Sequence, residues 1–286
     1  MIIVLAGLFT CTDESYPVYN EGVVLFELNS EPFFFNSEFT EPLVTPDGNS
    51  ILYIDRYSTN GPKGGLKIRS LISDKERTLT NLGYAADISS DGQWIAYNSS
   101  YGVISKIKFN GDSLAVITSS GSGDFNPNFS SEDMSIIYEH HSGGGPDLSG
   151  IWRIFMQGNA KEYLVDAGGN PYLFSNNNSV ITTKYFANTS GSKFLIHDLE
   201  TKELISILDP SPGKNNTNPQ IDPHGETILY SNDDGIFIRF SNGSRNSILP
   251  YKHIYEHRQG DYLGFIAVSP SWHPDGKHIV YQHFAI

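Results

Sequence analysis

The stretch PSWHPDGKHIVY, residues 270–281, is one of six copies of a single phrase. The others are PLVTPDGNSILY (42–53), ADISSDGQWIAY (86–97), PNFSSEDMSIIY (127–138), PYLFSNNNSVIT (171–182) and PQIDPHGETILY (219–230). Successive starts lie 44, 41, 44, 48 and 51 residues apart, the period of a four-stranded propeller blade. Within each copy an apolar residue follows two places after the first slot: Val44, Ile88, Phe129, Leu173, Ile221 and Trp272. A second apolar set, Ile51, Ile95, Ile136, Val180, Ile228 and Ile279, comes after the turn. The two sets are expected to face neighbouring blades.

Between them the sequence predicts a tight hairpin. Pro-Asp-Gly in the first and last copies supplies a fixed φ, an Asx-type hydrogen bond and a left-handed position. That slot holds Gly48, Gly92, Gly225 and Gly276 in four copies and Asp133 and Asn177 in the others. Asp and Asn are the side chains that best tolerate it, so the slot selects backbone geometry. Proline in the first slot is expected where a strand begins, because its missing N–H costs no ladder bond there.

Third strands are expected in GLKIRSLIS from Gly65, VISKIKF from Val103, GIWRIFM from Gly150, KFLIHDL from Lys193 and GIFIRFS from Gly235. The sixth copy stops after its second strand. GVVLFEL from Gly22 and PFFFNSEF from Pro32 are then expected to complete the last blade, since closure removes an exposed sheet edge. The expected fold is an all-β, six-bladed β-propeller of four-stranded antiparallel blades, with N-terminal strands completing the last blade. It is expected as one domain over 22–286, after a signal segment (1–11) and a short linker (12–21).

Net charge is −13, from 32 acidic against 19 basic residues. That disfavours nucleic acid, whose phosphates need a basic footprint. The single cysteine, Cys11, allows no internal disulfide. It follows the apolar run MIIVLAGLFT (1–10) and precedes Thr12, Asp13, Glu14 and Ser15. This resembles the end of a bacterial lipoprotein signal, in which the cysteine is lipidated and becomes the mature N-terminus. The resemblance implies a periplasmic, outer-membrane or surface protein that meets the membrane only through its lipid. The plainer alternative is an apolar terminus with an idle thiol.

The phrase itself resembles the TolB-type propeller repeat, P-x-x-S-P-D-G-x-x-I-x-Y, from about Gly22 to the C-terminus. The resemblance implies an interaction scaffold in the cell envelope, with a protein or peptide partner. The same repeats occur in peptidase propellers and in polysaccharide-lyase-like proteins, so a glycan-binding or carbohydrate-active protein is the alternative.

The face opposite the tight turns carries the long loops 56–64, 140–149, 209–217 and 251–268. Loops on a rigid scaffold are where binding concentrates. Candidate contacts there are Arg56, His140, Tyr255, His257 and Arg258. Glu41, Asn126, Asn170 and Asn218 directly precede first-slot prolines and are expected to ring the channel mouth. The three Asn-Pro pairs are read either as ligand contacts or as turns where strands begin. No G-x-S-x-G or H-E-x-x-H motif occurs, so no catalytic residue is assigned. No cofactor and no metal ligand are expected, a divalent cation in the channel being the lesser alternative. The chain is expected to be a monomer.

Overall fold

Every phrase folds into two antiparallel strands around its turn, and the left-handed slot is left-handed in all six, with φ between +57° and +79°. The computed structural model describes residues 2–7, 23–27, 42–55, 65–119, 123–143, 148–158, 160–186, 191–232, 234–240, 245–250 and 265–285. β1 (Ile2–Gly7) and β2 (Val23–Glu27) precede the first phrase. Blade 1 follows, with β3 (Leu43–Val44), β4 (Ser50–Asp55), β5 (Gly65–Ser70) and β6 (Glu76–Thr80). Blade 2 holds β7 (Tyr84–Ile88), β8 (Trp94–Ser100), β9 (Val103–Lys108) and β10 (Ala115–Val116). Blade 3 holds β11 (Asp124–Phe129), β12 (Ser135–His140), β13 (Gly150–Phe155) and β14 (Lys161–Val165). In blade 4 come β15 (Gly169–Leu173), β16 (Ser179–Tyr185), β17 (Ser192–Asp198) and β18 (Leu204–Leu208). Blade 5 comprises β19 (Thr217–Ile221), β20 (Thr227–Asn232), β21 (Gly235–Phe240) and β22 (Arg245–Pro250). Each of these five sheets uses four consecutive strands, all antiparallel, in an all-β propeller.

The remaining sheet joins the two ends in the order β2-β1-β24-β23, with β23 (Phe265–Trp272) and β24 (His278–Ala285). Here the structure corrects one expectation. The strand beside β24 is Ile2–Gly7, not the run from Pro32, which lies outside the described residues; β2 falls within the run from Gly22. Ile2 pairs with His283 and Gly7 with His278. A strand bonded on both sides tolerates a continuous apolar run, and IIVLAG is one.

Core clusters cross the blade boundaries. Leu52, Ile54, Leu66 and Ile68 of blade 1 pack on Ala86, Ile95 and Tyr97 of blade 2. Ala96 and Ile104 on the other face of blade 2 meet Phe129, Ile136 and Tyr138. Blade 3 meets blade 4 through Ile137, Ile151, Leu173 and Val180, and blade 4 meets blade 5 through Ile181, Phe194 and Tyr230. Val280 of β24 packs on Val44, Ile51 and Tyr53. Period-2 alternation sends successive side chains to opposite faces, so each blade is apolar on both. A fully buried isoleucine such as Ile51 or Ile95 contributes about 1.5–3 kcal/mol relative to exposure.

The non-glycine residues in the left-handed slot do more than accept the geometry. Asp133 accepts hydrogen bonds from the Ser90 N–H (2.8 Å), the Ser90 hydroxyl (2.7 Å) and the Asp91 N–H (3.1 Å) of the preceding blade's turn. Asn177 accepts from the Ser131 N–H and donates to the Ser131 hydroxyl. These turns are therefore tied blade to blade.

Candidate binding site at the channel mouth

Among the described residues, the innermost strand begins with a bulge in five of the six sheets, all but that of blade 1. Register shifts fall between Tyr84 and Ala86, Phe125 and Asn128, Gly169 and Tyr172, Thr217 and Gln220, and Val268 and Ser271. Four residues before the first slot are left-handed: Ala85 (φ +45°), Asn126 (+52°), Asn170 (+51°) and Asn218 (+51°). The first-slot prolines at 127, 171, 219 and 270 thus sit inside bulges rather than ahead of the strands, where the missing N–H is equally harmless. Asparagine is favoured here because it tolerates φ > 0, and the bulge turns its side chain toward the mouth.

At blades 3 and 4 these side chains converge. Asn126 Nδ2 donates to Asn170 Oδ1 (2.8 Å) and to Glu139 Oε2 (3.1 Å). The Asn170 N–H donates to the same Glu139 oxygen (3.1 Å), and Glu139 Oε1 lies 2.5 Å from His141 Nε2. Behind them Asn98 Oδ1 accepts the Asn126 N–H (3.0 Å) while Asn98 Nδ2 donates to the Asp124 carbonyl (2.7 Å). A Cβ on Gly169 would come within 2.5 Å of Glu139 Oε2, so a side chain there would displace the carboxylate from the cluster.

An aromatic shelf adjoins this cluster. Phe125 lies edge-to-face with Tyr101 (centroids 5.0 Å) and with His141 (5.5 Å). Tyr101 is 84 % exposed, although it stands on a tight turn rather than a long loop. Gly123, at φ +74°, lets the strand carrying Phe125 approach the His141 carbonyl, where a Cβ would lie 2.3 Å away. Exposed rings beside fixed amides and a carboxylate offer both contact area and directional hydrogen bonds.

Below the mouth, second-slot residues line the channel: Leu43, Asp87, Asn128, Tyr172, Gln220 and Ser271. It widens into cavities of about 210 Å³ and about 330 Å³. Asp87 accepts the Phe129 N–H (2.7 Å) of the next blade. Burial, then the charges of Asp87 and Asp222, push the Tyr172 phenol well above its ordinary range, so it stays a neutral donor.

The site residues expected from sequence divide sharply. Asn126 and Asn170 meet, and Asn218 joins them in lining the cavity. His140 does not stand in a loop: it ends β12, buried, with Nδ1 2.6 Å from Asp124 Oδ1 and its ring edge-on to Trp152. Loop 209–216 is drawn inward by buried Asn216, whose Nδ2 donates to the Ser192 and Ser211 carbonyls. Cys11, Glu41, Arg56, Tyr255, His257 and Arg258 lie outside the described residues. Sequence reasoning missed Tyr101, Phe125, Glu139 and the second-slot ring. The signal for that ring was present, because residues one place before the apolar Val44 and Ile221 positions must face the opposite way.

No family model and no curated protein matches the chain. Among solved structures it is similar to TolB from Acinetobacter baumannii, with a TM-score of 0.62 at 15% identity over 85% of this chain. The chain spans 61% of that protein's length. It is also similar to a putative TolB from Agrobacterium tumefaciens, with a TM-score of 0.72 at 14% identity over 100% of this chain and 98% of that one. A third likeness is to an oligogalacturonate lyase solved in complex with manganese, with a TM-score of 0.56 at 14% identity over 93% and 80% of the two chains. These likenesses are of fold, and the fold is a TolB-like β-propeller.

Proposed function

We propose that this chain is a non-catalytic, TolB-like scaffold of the bacterial cell envelope that takes a protein or peptide partner at its channel mouth. The observation that carries the reading is the Tyr101–Phe125–His141 shelf beside the Glu139–Asn126–Asn170 cluster. Rigid aromatic rings supply area at low entropic cost, and fixed amides can pair with an extended backbone. In this reading the ring is closed by a sixth blade that β23 and β24 share with N-terminal strands. Cys11 carries the lipid anchor, the protein works without a cofactor, and it is a monomer.

The test uses the protein immobilised against envelope extract. Wild type is expected to recover a partner that Tyr101→Ala and His141→Ala lose by about tenfold or more, as truncated anchor residues do, with unchanged far-UV circular dichroism. A partner held equally well by both variants would remove the shelf from the binding surface. The same shelf also suits a sugar ring, which keeps the carbohydrate reading as the second one. A glycan array, with a lyase and hydrolase screen run with and without divalent metals, separates the two. Glycan binding that Tyr101→Ala abolishes would favour the second.

A further inference from the structure

The last phrase departs from its siblings at the tight-turn end, far from the channel mouth. In blades 1–3 the residue three places before the left-handed slot is Thr45, Ser89 or Ser130. Its hydroxyl accepts the N–H of the residue opening the second strand, at 3.0, 2.8 and 3.1 Å. In blades 1 and 2 it also donates to the turn aspartate, Asp47 or Asp91. In the last phrase that place is His273, and the residue opening β24 is His278. The backbone of this turn is like the others: the Gly276 N–H donates to the His273 carbonyl (3.0 Å) and the His273 N–H to the His278 carbonyl (2.9 Å). The Asp275 carboxylate caps it through the Lys277 N–H (2.8 Å) and the His278 N–H (3.0 Å). In blades 1–3 a small hydroxyl satisfies the turn, and Phe174 and Asp222 hold its place in blades 4 and 5. The turn geometry therefore does not call for two imidazoles, although His273 Nδ1 also accepts the Asp275 N–H (3.2 Å).

Both rings instead converge on Asp275. His273 Nδ1 lies 3.1 Å from Asp275 Oδ1 and His278 Nδ1 2.5 Å from Asp275 Oδ2. Among the described residues this is the group of three His, Cys, Asp or Glu side chains whose donor atoms lie mutually within 4.8 Å. A tetrahedral ion with bonds of about 2.0–2.1 Å holds its ligands roughly 3.3 Å apart. The two histidine–aspartate separations are hydrogen-bond lengths shorter than that, so the side chains must part to admit an ion. A third imidazole is close, for a Cβ placed on Gly276 would lie 3.4 Å from His224 Nε2 of the neighbouring turn.

We propose that His273, Asp275 and His278 form a binding site for a divalent transition metal. Two imidazoles and one carboxylate are the donor set of Zn²⁺, Ni²⁺ or Cu²⁺, whereas Ca²⁺ and Mg²⁺ demand more oxygen ligands. Partial exposure of all three residues leaves the remaining positions open to water or to His224.

The full chain titrated calorimetrically with Zn²⁺ or Ni²⁺ tests this. One equivalent is expected on wild type. Affinity is expected to fall about tenfold or more in His278→Gln and in His273→Ser, the latter restoring the side chain of blade 2. Melting in chelator should be unchanged for His273→Ser, which separates ligation from folding. The double variant His273→Ser/His278→Gln binding the same equivalent as tightly as wild type would overturn the site. So would the absence of a saturable equivalent on the wild-type protein.

Discussion

Ala85 isolates the contribution of a single backbone position. Its φ of +45° is matched by +51° to +52° at Asn126, Asn170 and Asn218, and a Cβ without a local hydrogen-bonding group is penalised there by about 1–2 kcal/mol. Ala85→Asn, which installs the side chain used by three sibling blades, is expected to stabilise the fold by about 1 kcal/mol in chemical denaturation. Ala85→Gly should gain less, because it also loosens the unfolded chain. A lower denaturation midpoint for Ala85→Asn would show that the bulge of blade 2 differs from the others. The left-handed slot of each phrase was legible in the sequence because Gly, Asp and Asn share one conformational preference. The mouth asparagines were explained only in part, since the bulge that orients them is a register property with no composition of its own.

The strand β1 and the anchor at Cys11 make competing demands on one segment. Lipidation requires cleavage before Cys11, and cleavage removes Ile2–Gly7, which is bonded on both sides in the shared sheet. Acyl-chain mass spectrometry on the native protein is expected to find lipidated Cys11 as the mature N-terminus. Val4→Pro separates the roles: in a retained strand it deletes a ladder bond and lowers the melting temperature, whereas in a cleaved signal the mature protein melts as wild type. A mature chain that begins at Met1 or Ile2 and is destabilised by Val4→Pro would exclude the anchor. A short apolar run serves a signal core and a buried strand alike, and local sequence cannot distinguish them.

Packing of one blade on the next sets how the whole molecule responds to pH. His197 lies buried in β17, and burial, with the nearby charge of Lys184, pulls its pKa below the ordinary 6.5 against the weaker pull of Asp166. A histidine held neutral in the folded state leaves the unfolded chain binding more protons, so stability is full above pH 6.5 and declines as the pH falls toward the folded value. Thermal melts from pH 7.5 to 5.5 are expected to shift downward, and the shift should shrink in His197→Gln. An equal shift in both proteins would assign the pH dependence to other histidines.

Six spaced phrases determined, by themselves, the all-β propeller, the turn positions and the two apolar rows that pack between blades. They could do so because strand alternation, turn chemistry and blade period are local and repeat. The tertiary structure alone decided which strand stands beside β24, that His140 is buried on Asp124, and that Tyr101, Phe125 and Glu139 join Asn126 and Asn170. Those groupings draw single residues from different blades, and their proximity is set by bulge and twist across blade boundaries, which no stretch of the chain records.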